Sequence, residues 1–306
     1  MFARSIGKSR SRVGPLERGA VIIEAAINGI TQKSANPNVP RTVDEIAFDA
    51  LATFEAGASI IHNHISGSGD PAAVAEEYLA CWRPVLAERP DALLYPTANA
   101  IDGRLDLRHL ELLGETDLMR LSLCDPGSVN LGGMGPDGVP VGGFVYSNSY
   151  DSIAEQLEQA SSQRLGPSLT MYEPGFLRTT LAWWKAGRLP AGTMFKFYLS
   201  TDRGYMGAPF GLPATKLALD AYLEVLADCP VPWAVSVVGG DVVETGLARY
   251  AVERGGHIHL GLEFFAGERT PTNVELVNEA VAVCDAMGVA VASCDEAAEI
   301  LELPRR

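Results

Sequence analysis

A chain of 306 residues with 24 lysines and arginines against 38 aspartates and glutamates has a formal net charge of −14. It therefore lacks the basic face needed to neutralise nucleic-acid phosphates or anionic lipid. Its 47% hydrophobic and 20% charged content is that of an ordinary globular protein. No stretch approaches the ~20 apolar residues that span a bilayer, and no signal-type run is present, so neither nucleic acid nor membrane is an expected partner and the expected compartment is the cytoplasm.

The first 19 residues read as a basic arm, with Arg4, Lys8, Arg10, Arg12 and Arg18, ahead of a single domain over 20–306. Short β-branched runs then alternate with segments of helical period. The strand expectations are Val21 to Asn28, Ser59 to His64, Ala92 to Ala98, Leu118 to Cys124, Ser168 to Tyr172, Met194 to Ser200, Trp233 to Val238 and His257 to Glu263. Between the first two, Thr42 and Glu45 have capping-box spacing, Ile46, Ala47, Ala50, Leu51 and Phe54 form an apolar stripe, and Gly57 stands where a helix-terminating glycine belongs. Helical stretches follow at 71–88, 104–114, 150–163, 176–187, 213–227, 241–254 and 272–287. Eight βα repeats without a GxGxxG turn or Walker loop point to a closed (β/α)8 TIM barrel rather than an open doubly wound sheet. The Gly/Pro-rich piece from Pro126 to Gly143 reads as a long loop on the face where barrels place their chemistry. The five cysteines are far apart and have no CxxC spacing, so they read as buried small hydrophobes and not as a disulfide framework or thiolate site.

Four of the five histidines fall into two H-x-H pairs, His62 with His64 and His257 with His259. In a strand, residues two apart share a face, so each pair projects both imidazoles the same way. Continuing that parity puts Glu263 on the face of His257 and His259, and His64 and Glu263 both stand at expected C-terminal strand ends. A His2Glu site of His62, His64 and Glu263 with an open position follows at the barrel mouth; its N and O ligands suit Zn2+ best, with Mn2+, Fe2+ and Co2+ as alternatives. Glu24, Arg120 and Lys196 interrupt apolar strands and read as an ion network on the barrel floor. Asn28, Thr97, Asn99, Tyr172 and Glu173 end strands where they can face a ligand. In the glycine-rich loop after the sixth strand, Arg203 is either a carboxylate or phosphate clamp or an exposed turn residue.

The segments Ala25-Ala-Ile-Asn-Gly29, Asn36-Pro-Asn-Val-Pro-Arg-Thr42 and Glu55-Ala-Gly-Ala-Ser-Ile-Ile-His-Asn-His64 resemble the N-terminal signature of the β-keto acid cleavage enzymes. Gly127-Ser-Val-Asn130, Tyr172-Glu-Pro-Gly175, Trp233-Ala-Val235 and Gly255-Gly-His-Ile-His-Leu-Gly-Leu-Glu263 extend the resemblance over nearly the whole chain. It implies an oligomeric TIM barrel with zinc on His62, His64 and Glu263. It also implies a reaction in which a β-keto acid and acetyl-CoA give acetoacetate and a new acyl-CoA. The chain departs from the family pattern at the proton chemistry: His259 stands for an arginine, Phe264 for an aspartate, and Thr31 and Thr170 for two glutamates. His259 is then either the base or part of the metal's surroundings, and Asn28, at the end of the first strand, is a second catalytic candidate. A metal-dependent hydrolase or lyase without CoA, and a silent zinc-retaining binding protein, are the competing readings.

Overall fold

The computed structural model describes residues 19–67, 69–101 and 104–305. Residues 1–18, nearly all of the expected basic arm, lie outside them.

In chain order the elements are β1 (Ile23–Ala26), α1 (Val43–Glu55), β2 (Ile60–Asn63), α2 (Pro71–Glu88), β3 (Leu94–Pro96), β4 (Asn99–Ile101), β5 (Arg104–Asp106), α3 (Arg108–Gly114), β6 (Leu121–Cys124), β7 (Val129–Met134) and β8 (Pro140–Tyr146). They continue with α4 (Tyr150–Ser162), β9 (Gly166–Met171), α5 (Pro174–Lys185), β10 (Met194–Ser200), β11 (Leu212–Pro213), α6 (Lys216–Leu226), β12 (Trp233–Val238), α7 (Leu247–Glu253), β13 (His257–Leu260), α8 (Asn273–Ala286) and α9 (Cys294–Ile300). Parallel pairing in the order β3-β2-β1-β13-β12-β10-β9-β6 makes a nearly closed barrel, with β3 and β6 facing one another across the seam. This is a (β/α)8 TIM barrel.

The helices start where the side chains answer the free N–H groups of a first turn. Thr42 with Glu45, Thr272 with Glu275 and Ser293 with Glu296 each form a complete capping box. Outward-facing strand residues such as Ile23, Ala25 and Ile61 pack under the helices with Phe54, Trp82 and Val277 in one continuous apolar layer. All five cysteines are buried and free. No described helix is long and apolar enough to cross a membrane.

Three expectations need correction. The stretch from Pro126 to Gly143 is not an irregular loop: β7 and β8 form an antiparallel hairpin in which Val129 pairs with Tyr146 and Leu131 with Phe144. Its glycines obscure an alternation that continues past residue 143. The helix expected over 104–114 begins only at Arg108, because the preceding residues pair antiparallel with β4. The helix expected over 241–254 begins at Leu247, after turns in which Asp241 Oδ1 accepts from the N–H groups of Val243 and Glu244.

Candidate metal centre

The site is assembled from β1, β2 and the turn after β13. Ala26 stands opposite His62 in the β1–β2 ladder. Beyond the ladder, Asn28 continues the pairing with its side chain. Its Oδ1 accepts from the backbone N–H groups of His64 (2.8 Å) and Gly29 (2.8 Å), and its Nδ2 donates to the carbonyls of His64 (3.0 Å) and Pro40 (3.1 Å). The amide expected to face a ligand is engaged with backbone and fixes the course of His64.

Glu263 reaches the site by a turn, not by strand parity. β13 ends at Leu260, and Gly261 adopts φ +127°, where an added Cβ would lie 2.1 Å from the Ala26 carbonyl oxygen. The Glu263 N–H then donates to that carbonyl at 3.1 Å. The side chain passes over Gly29 (φ +54°), where a Cβ would lie 2.2 Å from Glu263 Cγ. Both glycines are therefore required by close approach as well as by backbone conformation.

His62 Nε2 lies 3.5 Å from Glu263 Oε2 and His64 Nε2 lies 3.3 Å from Glu263 Oε1. One ligand atom from each of the three residues falls within 4.8 Å of the others. Bonds of about 2.0–2.1 Å at tetrahedral angles put neighbouring ligand atoms about 3.3–3.4 Å apart, so the spacing suits one four-coordinate ion with an open position. His64 Nε2 and Glu263 Oε2 are buried without a hydrogen-bond partner among the described residues. Such orphaned atoms are costly unless something polar answers them, and a divalent cation answers both. The residues present thus fit a metal.

The protonation states agree. Burial lowers the His62 pKa to about 3, outweighing the nearby Glu263 carboxylate. Its Nδ1 faces the Tyr95 carbonyl at 3.3 Å, which places the proton there and leaves the Nε2 lone pair free. Burial alone would raise Glu263, but His64, His62 and the Tyr205 hydroxyl, which donates to Oε1 at 2.8 Å, hold it below the usual carboxylate range. A neutral imidazole and an ionised carboxylate are the ligating forms.

The second histidine pair lies lower in the barrel. Glu24 stands opposite His259, so His259 is one inward-facing level below Ala26 and His62. Lys196 Nζ donates to Glu24 Oε1 (3.2 Å) and Tyr95 Oη (2.7 Å), and the Tyr95 hydroxyl donates to the same Glu24 oxygen. His259 Nε2 is 3.4 Å from Glu24 Oε1, and its ring stacks on Tyr198 and meets Phe264 edge-on. Burial, then the Lys196 charge, hold its pKa well below the usual histidine range. His257 is lower still, its Nδ1 accepting from the Ile22 N–H at 3.0 Å. Neither joins the group of converging ligand atoms. The expected floor network is realised as Glu24 with Lys196, whereas Arg120 is half-buried.

The other expected residues scatter around the mouth. Thr97 follows β3, with its N–H bonded to the Tyr78 hydroxyl and its carbonyl to His109 Nε2. Asn99 is in β4 and not at the end of β3, and its side chain is buried. Tyr172 lies at the centre of an aromatic group with Tyr146, Phe176, Tyr198 and Phe210. Glu173 Oε1 accepts from the Gly211 N–H at 3.0 Å and ties down the loop after β10. Arg203 is exposed, and its backbone N–H donates to Thr201 Oγ1.

Two residues went unnoticed in the sequence. Tyr205, in the loop that drew attention to Arg203, bonds Glu263 directly. Asp125 follows β6 and continues the inward parity of Leu121 and Leu123. It is buried and accepts from the Tyr146 hydroxyl at 2.6 Å. Only its place at a strand end hinted at a role.

The family model of the beta-keto acid cleavage enzymes matches residues 20–303. This chain belongs to that family. It is 27% identical to the 3-keto-5-aminohexanoate cleavage enzyme of Fusobacterium nucleatum, over 93% of this chain and 98% of that protein. It is 25% identical to the 3-oxoadipate:acetyl-CoA acetyltransferase of Cupriavidus necator, over 92% of this chain and 95% of that one. Among solved structures, apo ObcA superposes with a TM-score of 0.66 at 14% identity, covering 88% of this chain and 66% of the other, a likeness of fold. Members of the family thus carry names of acetyl-CoA-dependent transfer on keto acids.

Proposed function

We propose that this family member is a zinc-dependent β-keto acid cleavage enzyme that converts a β-keto acid and acetyl-CoA into acetoacetate and a new acyl-CoA. The observation that carries the reading is the convergence of His62, His64 and Glu263 at the mouth of a barrel that matches the family from residue 20 to residue 303. An ion held by these three residues would act there as a Lewis acid on the keto group of the substrate.

The chain's own contribution is preorganisation. Asn28 fixes His64, the Tyr95 carbonyl orients His62, and Tyr205 orients Glu263, so the ligand atoms converge before any substrate arrives. Burial desolvates the side chains of Tyr146, Tyr172, Tyr198 and Tyr205, and a mouth walled by them would keep water from a bound keto acid. Exclusion of water strengthens every charge interaction with a bound keto acid and protects a carbanionic centre from stray protons.

The test is incubation of zinc-loaded protein with acetyl-CoA and a panel of β-keto acids, with acetoacetate and acyl-CoA followed by mass spectrometry. Stoichiometric formation of both products supports the reading. Silence across the panel, or consumption of the keto acid without any new acyl-CoA, rejects it in favour of a CoA-independent lyase or hydrolase.

A further inference from the structure

Glu263 is engaged by His62, His64 and Tyr205, and Phe264 beside it carries no titratable group, so the proton chemistry of the proposed reaction needs another side chain. The described buried acids narrow the choice. Asp106 is paired with Arg108, Asp241 with Arg269 and Glu24 with Lys196. Asp125 has no ion pair among the described residues, and its partners are hydroxyls. It sits immediately beyond the C-terminal end of β6, on the same rim of the barrel as His64. The β7–β8 hairpin folds back so that Tyr146, its last residue, holds Asp125 Oδ2 with one strong hydrogen bond.

We propose that Asp125 is the proton carrier of the reaction, with Tyr146 as the residue that positions it. The inference rests on the β-keto acid reading above. The carboxylate removes a proton from the carbon between the keto and carboxylate groups of the substrate. The C–H bond breaks, an O–H bond forms on Asp125, and the electron pair passes into the keto group, leaving a nucleophilic carbon to attack the acetyl-CoA thioester and release the thiolate. The thiolate then attacks the original keto carbon, the old C–C bond breaks, and the carbanion left on acetoacetate takes the same proton back. No net proton is consumed, so one carboxyl that can hold a proton between the two half-steps is sufficient.

The surroundings suit a group that must both take and return a proton. Burial raises the Asp125 pKa above its usual range, as does the Glu263 carboxylate across the mouth. The Tyr146 hydroxyl, the Lys196 ammonium and the Thr170 hydroxyl pull it back. Tyr172 and Tyr198 also feel its charge but stay protonated, their own pKa values being pushed far up by burial. A buried carboxyl whose pKa is raised is a better proton carrier than an ordinary surface aspartate.

The experiment follows exchange of the substrate's methylene protons in D2O by NMR, with zinc-loaded protein and no acetyl-CoA, alongside full turnover. Zinc content and the protonated-carboxyl infrared band are measured on the same samples. The proposal requires that Asp125→Asn, with unchanged zinc content and thermal midpoint, lowers exchange to the buffer rate and cuts kcat by about 100- to 10,000-fold. It also requires that KM is little affected and that an infrared band titrating in wild type disappears. Tyr146→Phe must keep exchange but shift its rise with pH upward, because the phenol stabilises the ionised carboxyl. Exchange that survives in Asp125→Asn, or an unmoved pH profile in Tyr146→Phe, overturns the proposal. Wild-type exchange that is lost in Asp125→Asn while no acyl-CoA forms would reject the condensation yet support the proton carrier. Absence of wild-type exchange would overturn the carrier itself.

Discussion

The chain contains the same short motif twice, and the two copies do different work. His62 and His64 end β2 at the mouth of the barrel, where their Nε2 atoms meet Glu263 within 3.5 and 3.3 Å. His257 and His259 open β13, so one ring bonds a backbone N–H near the barrel base and the other packs against Tyr198 and Phe264 above the Glu24–Lys196 pair. Strand parity gives both pairs a common face. What separates them is height along the barrel and what their ring nitrogens meet: at the mouth both Nε2 atoms converge on the Glu263 carboxylate, whereas lower down one ring is tied to a backbone N–H and the other is packed among aromatic side chains.

The largest test of that contrast is removal of ligands from each pair. Glu263→Ala should abolish stoichiometric zinc in plasma mass spectrometry, exceeding the ~10–100-fold loss of affinity that a supporting residue costs. His257→Asn, which keeps an acceptor for the Ile22 N–H, should retain full zinc. Loss of zinc from the His257 variant would break the comparison.

A second test concerns the floor. Lys196→Met strands the buried Glu24 carboxylate without its cation and should destabilise the fold by about 3–5 kcal/mol in urea melts. The double variant Glu24→Gln/Lys196→Met should recover part of that loss. A third addresses the support of the upper pair: Asn28→Ala frees the backbone of His64 and should weaken zinc affinity by ~10–100-fold without unfolding the barrel, as read by competition with a chelating dye.

A fourth test is a pH slope. The His257 pKa is lowered by burial to about 4 from an ordinary value of 6.5. A depressed folded-state value means that its contribution to stability is complete above pH 6.5 and disappears as pH falls through about 4. The difference corresponds to about 3 kcal/mol, so His257→Asn should flatten the fall in stability over that window. An unchanged slope would show that the floor histidine is not desolvated.

Several features were legible without coordinates because they depend on local rules. The βα alternation, the Thr42–Glu45 capping box and the shared face of His62 and His64 follow from hydrogen-bond geometry and side-chain periodicity within a few residues. The hairpin over Val129–Tyr146 was obscured because its glycines break the alternation of side chains while leaving the backbone pairing intact. Strand parity does not account for the placement of Glu263. Parity stops at Leu260, and the carboxylate enters the site because Gly261 turns the chain against Ala26 and Gly29 leaves room above it.

By itself, then, the sequence determined the barrel and the residue types capable of holding an ion. Long-range packing set which histidine pair reaches the mouth, that Tyr205 bonds Glu263, and that Tyr146 bonds Asp125 at the rim. Those outcomes depend on how the strands of a closing barrel are staggered and on how loops far apart in sequence fold over its end. Neither is encoded in any single stretch of chain.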